Sequence, residues 1–409
     1  MKCVDLFCGC GGLSLGFNQA GIRIVCAYDY WRESIECYRQ NLKHPAIIAD
    51  LSNVRKMSKE ISAMSPDIIV GGPPCQDFSH AGKRQERGQA DLTVCFAEII
   101  KSVRPRWFVM ENVDRVKRSN AYRKAREIFV KSGYGLTEEV LNASAFGVPQ
   151  NRRRFFCIGL LDASDGFLTD DIRLMENSRA ITVREYFDSV GHKADVQHYY
   201  RHPRNYSRRG VFSLDEPAPT IRGVNRPVPS GYGGHAGDTH CAEKVRPLSS
   251  MERALIQTFP DNFKLIGNKT TIEQMIGNAV PVNLAKAVAS AVVLYDKMPM
   301  ATKKRGRKAV RESIGGVKRD VYMRWVVSSG MSEKSAKDAW SWLSQAWKYG
   351  AFSDDFAYET DMPQFARKAG SDFDGATVSH MKKAIRIYCE IKSRLSHVKK
   401  ANLFLPVVD

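Results

Sequence analysis

The sequence KCVDLFCGCGGLSLGF, residues 2–17, joins an apolar run, a glycine-rich turn and a second apolar stretch. The apolar run predicts a buried strand that ends at Phe7, and a helix is expected from about Leu13. Between them, the glycines allow the backbone to turn tightly against a ligand. The turn lacks the GxGxxG spacing, so by itself it is equally consistent with a purely structural turn.

Further apolar runs alternate with helical patterns over the first half of the chain. They are IRIVCAYD, AIIADL, DIIVGG, RWFVMENV and FFCIGL. This alternation predicts an α/β fold with a doubly wound, mostly parallel sheet. Ligands in such sheets bind at the carboxyl ends of the strands, so functional residues are expected where each strand passes into a loop.

The composition indicates a polyanionic partner. The chain has 409 residues and a net charge of +18, from 62 Lys and Arg against 44 Asp and Glu, which favours nucleic acid. Ten scattered cysteines suit reduced thiols better than a disulfide framework. The sequence shows neither a signal peptide nor a metal-binding cysteine and histidine spacing, so we expect an intracellular protein, without a membrane span and without a metal.

Acidic residues end two of the predicted strands. Asp29 closes IRIVCAYD about twenty residues after the glycine turn, where a carboxylate can accept hydrogen bonds from ribose hydroxyls. Asp50 lies at the end of AIIADL and could meet an adenine amino group. Because the chain has no GxxxxGK[ST] loop for a triphosphate, the pattern predicts a nucleoside-bearing cofactor held by its sugar and base.

A lone cysteine, Cys75, follows two prolines in GGPPCQDFS, residues 71–79. The prolines stiffen the loop and would fix the position of the thiol, while a small buried hydrophobe is an alternative of equal weight. The next strand ends in Glu111, and QNRRR places three arginines before another strand. A thiol, a carboxylate and a guanidinium on one face suit attack on an electron-poor ring. A helix cap and a solvated basic patch are the structural interpretations of the last two.

Six motifs, in order, resemble those of the cytosine-5 DNA methyltransferase family. They are DLFCGCGG, GGPPCQDFS, ENV, QNRRR, RPLSSMERALIQTFP and IGNAVPVNLA, within residues 1–297. The resemblance implies a class I, Rossmann-like fold that binds S-adenosylmethionine, releases S-adenosylhomocysteine and acts on double-stranded DNA. Such an enzyme methylates carbon 5 of a cytosine that is flipped out of the duplex. Tyr30 stands where the family often has tryptophan, and Cys8 and Cys10 also depart from the common pattern.

The resemblance also implies roles for individual residues. Cys75 adds to carbon 6 of cytosine, and Glu111 assists protonation of ring nitrogen 3. Arg154 supports the carbonyl oxygen of the base, and Arg152 supports the loop and backbone. The base that removes the carbon 5 proton is not identified. The residues expected to bind the cofactor are Phe7, Gly9, Gly11, Gly12, Leu13, Asp29, Tyr30, Asp50, Leu51, Pro73, Asn278 and Val280.

Residues expected to contact DNA lie in the cysteine loop and in a proline- and glycine-rich stretch further on. They are Gln76, Ser79, Thr220, Arg222, Asn225 and Arg226. Arginine pairs with guanine and asparagine with adenine in the major groove, which makes the last three candidate base readers. Phosphate contact or structural capping is an equally weighted alternative for them.

The patterns predict five regions along the chain. Residues 1–161 form the catalytic and cofactor-binding domain, 162–245 a small irregular target-recognition region, and 246–298 a return to the catalytic domain. Residues 299–318 are a basic linker. Residues 319–409 have helical spacing and predict an α-helical accessory domain, which we expect to touch DNA or a partner protein.

Three other functions share part of this pattern. An RNA cytosine methyltransferase could use the same cysteine and glutamate, but the extended recognition region and the basic domain favour DNA. A thymidylate-synthase-like enzyme also attacks carbon 6, yet the adenosyl-type cofactor loop argues against it. A repressor with a vestigial active site is disfavoured because every catalytic position is filled. We expect a prokaryotic modification enzyme, cytoplasmic and monomeric, that protects DNA from a cognate restriction endonuclease.

Overall fold

The computed structural model describes residues 1–74, 91–177, 179–205, 207–297, 313–349, 352 and 356–403, with side chains as far as residue 395 in the last helix. The strands are β1 Lys2–Leu6, β2 Arg23–Asp29, β3 Ala46–Ile48, β4 Ile68–Gly71, β5 Trp107–Val113, β6 Tyr134–Asn142, β7 Gln150–Asn151, β8 Arg153–Leu161, β9 His198–Tyr200, β10 Val211–Ser213, β11 Ala218–Pro219, β12 Arg246–Pro247, β13 Ser313–Ile314 and β14 Val317–Lys318. The helices are α1 Gly12–Gln19, α2 Arg32–Asn41, α3 Val54–Met64, α4 Leu92–Val103, α5 Asn120–Lys131, α6 Thr169–Leu174, α7 Val183–Ser189, α8 Ser250–Ile256, α9 Lys269–Asn278, α10 Val282–Lys297, α11 Arg319–Ser328, α12 Glu333–Lys348, α13 Tyr358–Asp372 and α14 Gly375–Leu403. Short 3₁₀ helices span Asp114–Arg118, Ala143–Phe146 and Ala242–Lys244.

A seven-stranded sheet in the order β3-β2-β1-β4-β5-β8-β6 organises the first part of the chain. β1 to β5 run parallel to one another, and β8 lies antiparallel between β5 and β6. The predicted doubly wound, mostly parallel α/β sheet is therefore confirmed. β6 was not predicted, because its sequence YGLTEEVLN interrupts the apolar run with Glu138 and Glu139.

The sheet forms because its central strands are apolar on both faces. β4 is buried throughout, and β5 is buried except at its last residue. Alternate residues of β2 face opposite sides, since Cys26 and Tyr28 pack with α3, α4 and α5 whereas Ala27 packs with residues of α2. The parallel strands end together at one edge of the sheet, and that edge carries the candidate site.

A smaller sheet, in the order β10-β9-β12, lies in the region predicted to recognise the target. The segment that leaves it, β11, pairs with β7 of the QNRRR motif, with Ala218 opposite Gln150 and Pro219 opposite Asn151. This pairing ties the start of the predicted DNA-reading stretch to the catalytic part of the chain.

The chain divides into two compact units. One consists of residues 1–167 and 179–290, and the other of residues 168–178 and 291–409. Residues 168–178, which contain α6, fall within the predicted target-recognition region but pack in the second unit, so the compact units do not follow the predicted boundaries. The five functional regions stay a prediction.

The second unit has its own core. Trp340 is buried, and Trp325, Trp342 and Trp347 pack against the same core at its margin. Burial of apolar side chains from α11, α12, α13 and α14 is what orders these helices. α6 is fastened to them by a buried ion pair of Asp171 with Arg324.

One stretch, Lys269–Lys297, is long and apolar enough to pass a test for membrane-spanning helices by length and composition. Its apolar window is 61% buried within the fold, which is the behaviour of a core helix. The stretch comprises α9 and α10, and Ala279 between them has an extended backbone.

Candidate active site

A cavity of about 980 Å³ opens at the carboxyl ends of β1, β2, β4 and β5. Of the twelve predicted cofactor residues, all except Gly11 line it. Glu111 and Arg154, both predicted to act in catalysis, line the same cavity. The lining residues are Phe7, Cys8, Gly9, Cys10, Gly12, Leu13, Asp29, Tyr30, Trp31, Ala49, Asp50, Leu51, Ser52, Gly72, Pro73, Pro74, Leu92, Glu111, Asn112, Val113, Arg154, Gln274, Met275, Gly277, Asn278, Ala279 and Val280.

The turn after β1 needs glycine at two positions for different reasons. Gly11 has φ 100°, and a Cβ there would also lie 2.7 Å from Leu42 and 3.0 Å from the Tyr38 ring. A Cβ on Gly12 would lie 2.3 Å from the carbonyl oxygen of Val280. Gly11 is thus a structural residue beneath the turn, and Gly12 lets the start of α1 approach the segment that closes the cavity.

Asp29 braces this turn at the end of β2. One carboxylate oxygen accepts from the backbone N–H of Gly9 at 2.8 Å, and the other accepts from Trp31 at 2.8 Å. Burial raises the pKa of Asp29, although the backbone N–H donors act in the opposite direction. Each oxygen keeps acceptor capacity for a further donor from the cavity side.

A second carboxylate, after β3, and two aromatic rings, after β2, also line the cavity. Asp50 is exposed, and hydrogen bonds from Ser52 lower its pKa, so its carboxylate is ionised. Tyr30 is 78% exposed and lines the cavity beside Trp31. Trp31 was not predicted, and the adjacent aromatic pair in DYW was the available signal.

Glu111 and Arg154 form an ion pair on the cavity, with Arg154 Nε 3.0 Å from Glu111 Oε1. They face each other because β5 and β8 are antiparallel neighbours, with Glu111 opposite Phe156 and Val113 opposite Arg154. Burial raises the pKa of Glu111, while the charges of Arg154 and then Arg152 act to lower it. The second oxygen, Oε2, lies 3.1 Å from where a Cβ on Gly72 would be, so glycine leaves it room.

The predicted nucleophile Cys75, together with Gln76 and Ser79, lies outside the described residues. The segment that leads to it is placed by a neighbouring strand. Asn112 donates from Nδ2 to the carbonyl oxygen of Pro73 at 2.8 Å and accepts through Oδ1 from its neighbour Val113. Asn112 thereby holds the backbone at Pro73, two residues before Cys75 in the sequence. The sequence alone did not indicate this role for the asparagine of the ENV motif.

Arg152 lies apart from the cavity lining and is fully buried. Its guanidinium donates to the carbonyl oxygens of Ile221 at 2.8 Å, Gly277 at 2.9 Å and Ala279 at 3.0 Å. It therefore joins the predicted DNA-reading stretch to the segment that closes the cavity. This position is consistent with its predicted supporting role, which stays a prediction.

Gln150 and Gln257 complete this buried network. Gln150 donates to Gln257 at 2.8 Å and accepts from the backbone N–H of Ile221 at 2.8 Å. Gln257 donates onward to the carbonyl oxygens of Ile276 at 2.6 Å and Ala279 at 3.1 Å. Gln257 was not predicted, although it lies within the motif RPLSSMERALIQTFP.

The predicted DNA-contacting residues of the described part lie beyond the cavity lining. Thr220 donates to the carbonyl oxygen of Asn151 at 2.8 Å, and Arg222 donates to that of His202. Asn225 donates to the carbonyl oxygen of Leu248 at 2.8 Å and to Glu273 at 2.9 Å. Both amide hydrogens of Asn225 are thus used within the fold.

Arg226, by contrast, is exposed. Internal bonds at Asn225 favour a structural role there over base reading, whereas an exposed guanidinium is available to a ligand. The contacts of these residues with DNA stay predictions.

Comparison with known proteins fits this geometry. A family model described as C-5 cytosine-specific DNA methylase matches residues 1–293. The chain is 52% identical over 303 residues to the Type II methyltransferase M.HindV of Haemophilus influenzae, covering 73% of this chain and 99% of that relative. It is 49% identical over 300 residues to the Type II methyltransferase M.HgiDI of Herpetosiphon aurantiacus, covering 73% and 96%.

The fold has a solved counterpart as well. The crystal structure of S. pombe Dnmt2 methyltransferase is similar with a TM-score of 0.55 and 19% identity, over 73% of this chain and 99% of that one. About a quarter of this chain therefore has no counterpart in these three proteins. The matched part carries every motif of the site, and the chain belongs to the C-5 cytosine-specific DNA methylase family, a family of S-adenosylmethionine-dependent enzymes.

Proposed function

We propose that the protein methylates carbon 5 of a flipped-out cytosine in a short duplex DNA site, through a covalent adduct between Cys75 and carbon 6. The observation that carries the proposal is the ion pair of Glu111 and Arg154, which lines the same cavity as Pro73 and Pro74. An acid, a cation and the residue before the thiol thus border one space.

The thiol of Cys75 is the nucleophile in this mechanism. Cys75 follows Pro74 directly in the sequence, and Pro74 lines the cavity. A free cysteine has a pKa of about 8.5, and the thiolate is the attacking form. As sulfur bonds to carbon 6, the electron pair of the 5,6 double bond moves toward carbon 5.

Glu111 and Arg154 support this addition. Burial raises the pKa of Glu111, which favours the protonated form that would donate to ring nitrogen 3 as electron density enters the ring. Arg154, which lies 3.0 Å from Glu111, offers a cation for the carbonyl oxygen of the base. The addition of sulfur makes carbon 5 nucleophilic, and the proton from Glu111 and the cation of Arg154 together offset the negative charge that would otherwise remain on the ring.

The cavity residues fit S-adenosylmethionine. The exposed ring of Tyr30 suits stacking on adenine, and the carboxylates of Asp29 and Asp50 suit ribose hydroxyls and the adenine amino group. At Gly9, which lines the cavity, nothing lies within 4 Å of where a Cβ would be, so a ligand can approach the backbone there. When bound, S-adenosylmethionine supplies an electrophilic methyl group for carbon 5.

Release of the product restores the thiolate. A base removes the proton from carbon 5, the electron pair re-forms the 5,6 double bond, and the bond between carbon 6 and the sulfur of Cys75 breaks. Glu111 can take back the proton from ring nitrogen 3 in the same phase, because a group that donates in one direction accepts in the other.

The biological role is modification within a restriction-modification system. M.HindV and M.HgiDI are named Type II methyltransferases, and the identity of this chain to both is about one half. We infer a cytoplasmic monomer that methylates the sites a cognate endonuclease would cut. The target-recognition region, the basic linker and the helical accessory domain are the proposed DNA-facing additions to the catalytic domain.

Methyl transfer from labelled S-adenosylmethionine to duplex DNA tests the mechanism, with modified cytosines mapped afterwards. We expect label on carbon 5 at one short recurring site. Cys75→Ser should abolish transfer, and Glu111→Gln should reduce it by about 10²–10⁴-fold while S-adenosylmethionine still binds. Cys241→Ser, at an exposed cysteine, is the matched control and should transfer at the wild-type rate.

Each outcome separates one part of the proposal. Full activity of Cys75→Ser would rule out the covalent mechanism, and full activity of Glu111→Gln would rule out Glu111 as the proton donor. Transfer to transfer RNA with none to duplex DNA would replace the substrate. Methylation scattered over many unrelated sequences would argue against a restriction-modification role.

A further inference from the structure

Five arginines of the first unit lie close together, and one of them belongs to the predicted DNA-reading stretch. We call them the arginine cluster, and they are Arg201, Arg204, Arg208, Arg222 and Arg253. Burial, and next the charge of Arg222, lower the pKa of Arg201 to about 10. Burial, and then the charges of Arg201 and Arg222, lower the pKa of Arg253 to about 10. Arginine side chains carry a positive charge in proteins, so the cluster concentrates like charge.

Little of this charge is neutralised within the fold. Among the described residues, Arg253 is the one member with a carboxylate partner, Glu273. Arg209, in the same stretch of sequence, shows the contrast, since it forms a bidentate pair with Glu216. This pair neutralises the charge of Arg209 within the fold.

Two members also have unused donors. The Nε groups of Arg201 and Arg222 are buried and have no hydrogen-bond partner in the described part of the chain. Other nitrogens of both side chains are fixed, since Arg201 donates to the carbonyl oxygen of Thr220 at 3.0 Å and Arg222 donates to that of His202. A buried donor atom without a partner is costly, and an anionic ligand that reached it would remove that cost.

The cluster adjoins the active-site cavity. The backbone of Arg222 packs directly against Gly277, where an added Cβ would lie 2.3 Å from the Arg222 carbonyl carbon, and Gly277 lines the cavity. Arg253 donates to the carbonyl oxygen of Arg222. Duplex DNA that delivers a base to this cavity brings one phosphate charge for about every 1.7 Å of its axis.

We propose that the arginine cluster binds backbone phosphates of the DNA next to the flipped base, and so positions the duplex without reading its sequence. The inference rests on the proposed function, because it takes the substrate to be DNA. Arg222, a predicted base reader, is assigned to the phosphates here, since its guanidinium is already directed by the carbonyl of His202.

The salt dependence of DNA binding tests the assignment. Arg204 and Arg208 are exposed, so Arg204→Gln, Arg208→Gln and the double variant should fold normally. Each lost phosphate contact should reduce the slope of log K against log salt by about 0.9, on duplexes with and without the methylated site alike. Arg201→Gln probes the buried part, with thermal unfolding as a check on its fold.

Arg126→Gln is the matched control, because it removes the same charge from an arginine of α5 that Glu138 already neutralises and that lies outside the predicted target-recognition region. Its slope should equal that of the wild type. An unchanged slope in the Arg204 and Arg208 double variant would overturn the proposal. A loss confined to the duplex with the site would also overturn it, in favour of base reading.

Failure of the proposed function gives a different result. Wild-type protein that binds duplex DNA with a steep salt dependence but transfers no methyl group would remove the enzymatic mechanism and leave the arginine measurement intact. Salt-independent DNA binding together with normal methyl transfer would overturn the phosphate assignment and leave the enzymatic mechanism intact.

Discussion

Replacing Asp5 by asparagine should make the protein more stable at neutral and alkaline pH. Asp5 lies in β1 under the glycine turn and is fully buried. Its Oδ2 accepts from the Ser14 hydroxyl at 2.6 Å, and Ser14 in turn accepts from the Tyr38 hydroxyl at 2.7 Å. Oδ1 is buried and has no hydrogen-bond partner among the described residues, so the fold does little to stabilise the negative charge of an ionised carboxylate there.

The size of the effect follows from the pKa of Asp5. Burial raises that pKa from 3.8 to about 7, with the charge of Asp29 acting in the same direction and the bond from Ser14 against it. The folded state therefore holds a proton that the unfolded state has already lost, and stability falls as pH rises from about 4 to about 7. About three pH units at 1.36 kcal/mol each amount to roughly 4 kcal/mol.

Urea unfolding of wild type and Asp5→Asn over a series of pH values measures this. The variant should gain stability over the wild type as the pH rises, and the gap should widen by about 3 kcal/mol between about pH 5 and pH 8. Asp261→Asn, at an exposed carboxylate, is the matched control and should run parallel to the wild type. Parallel profiles for Asp5→Asn would refute the argument that Asp5 is protonated in the fold.

Of two further substitutions, the first tests close packing and the second tests a buried ion pair. Gly12→Ala should weaken S-adenosylmethionine binding by roughly tenfold or more in calorimetry, because its Cβ would meet the Val280 carbonyl oxygen at 2.3 Å and overpacking costs about 1–3 kcal/mol. Gly370→Ala, whose Cβ would meet nothing within 4 Å, is its control, and equal affinity in both variants would contradict the expectation. Arg324→Met should lower the free energy of unfolding by about 3–5 kcal/mol, because it leaves the charge of Asp171 buried without its partner. Adding Asp171→Leu should restore most of that loss in urea denaturation, and a double variant no more stable than the single one would show that the ion pair is not the cause.

The sheet was predictable because its strands bury both faces. The apolar runs that end at Asp29 and Glu111 are β2 and β5, since continuous apolar residues suit a strand with helices on either side. β6 was missed for the opposite reason. It is an edge strand in which Glu138 and Glu139 are partly exposed, so its sequence contains no continuous apolar run. The strand ends carry the cavity, so the position of the site could be inferred from the fold class alone.

What the sequence could not show is how the internal bonds of the site are distributed. Arg152 and Arg154 stand two residues apart in one motif, yet Arg154 lines the cavity and Arg152 is buried among backbone carbonyls. Within a strand, two side chains that stand two residues apart face the same side. Arg152 lies before β8, which begins at Arg153, so this rule did not apply to the pair. Asn225 likewise has the residue type of a base reader and the contacts of a structural residue.

The buried network explains why motifs far apart in sequence serve one site. Ala279 accepts hydrogen bonds through its carbonyl oxygen from both Arg152 and Gln257, and Ile221 is held through its N–H by Gln150 and through its carbonyl by Arg152. The segment that closes the cavity and the predicted DNA-reading stretch are therefore fixed by the same few side chains. Since each is fully buried, a shift at one segment would leave polar groups unpaired at the other. The proposed cofactor side and the proposed DNA side of the site are thereby held in one fixed geometry, as methyl transfer between them would require.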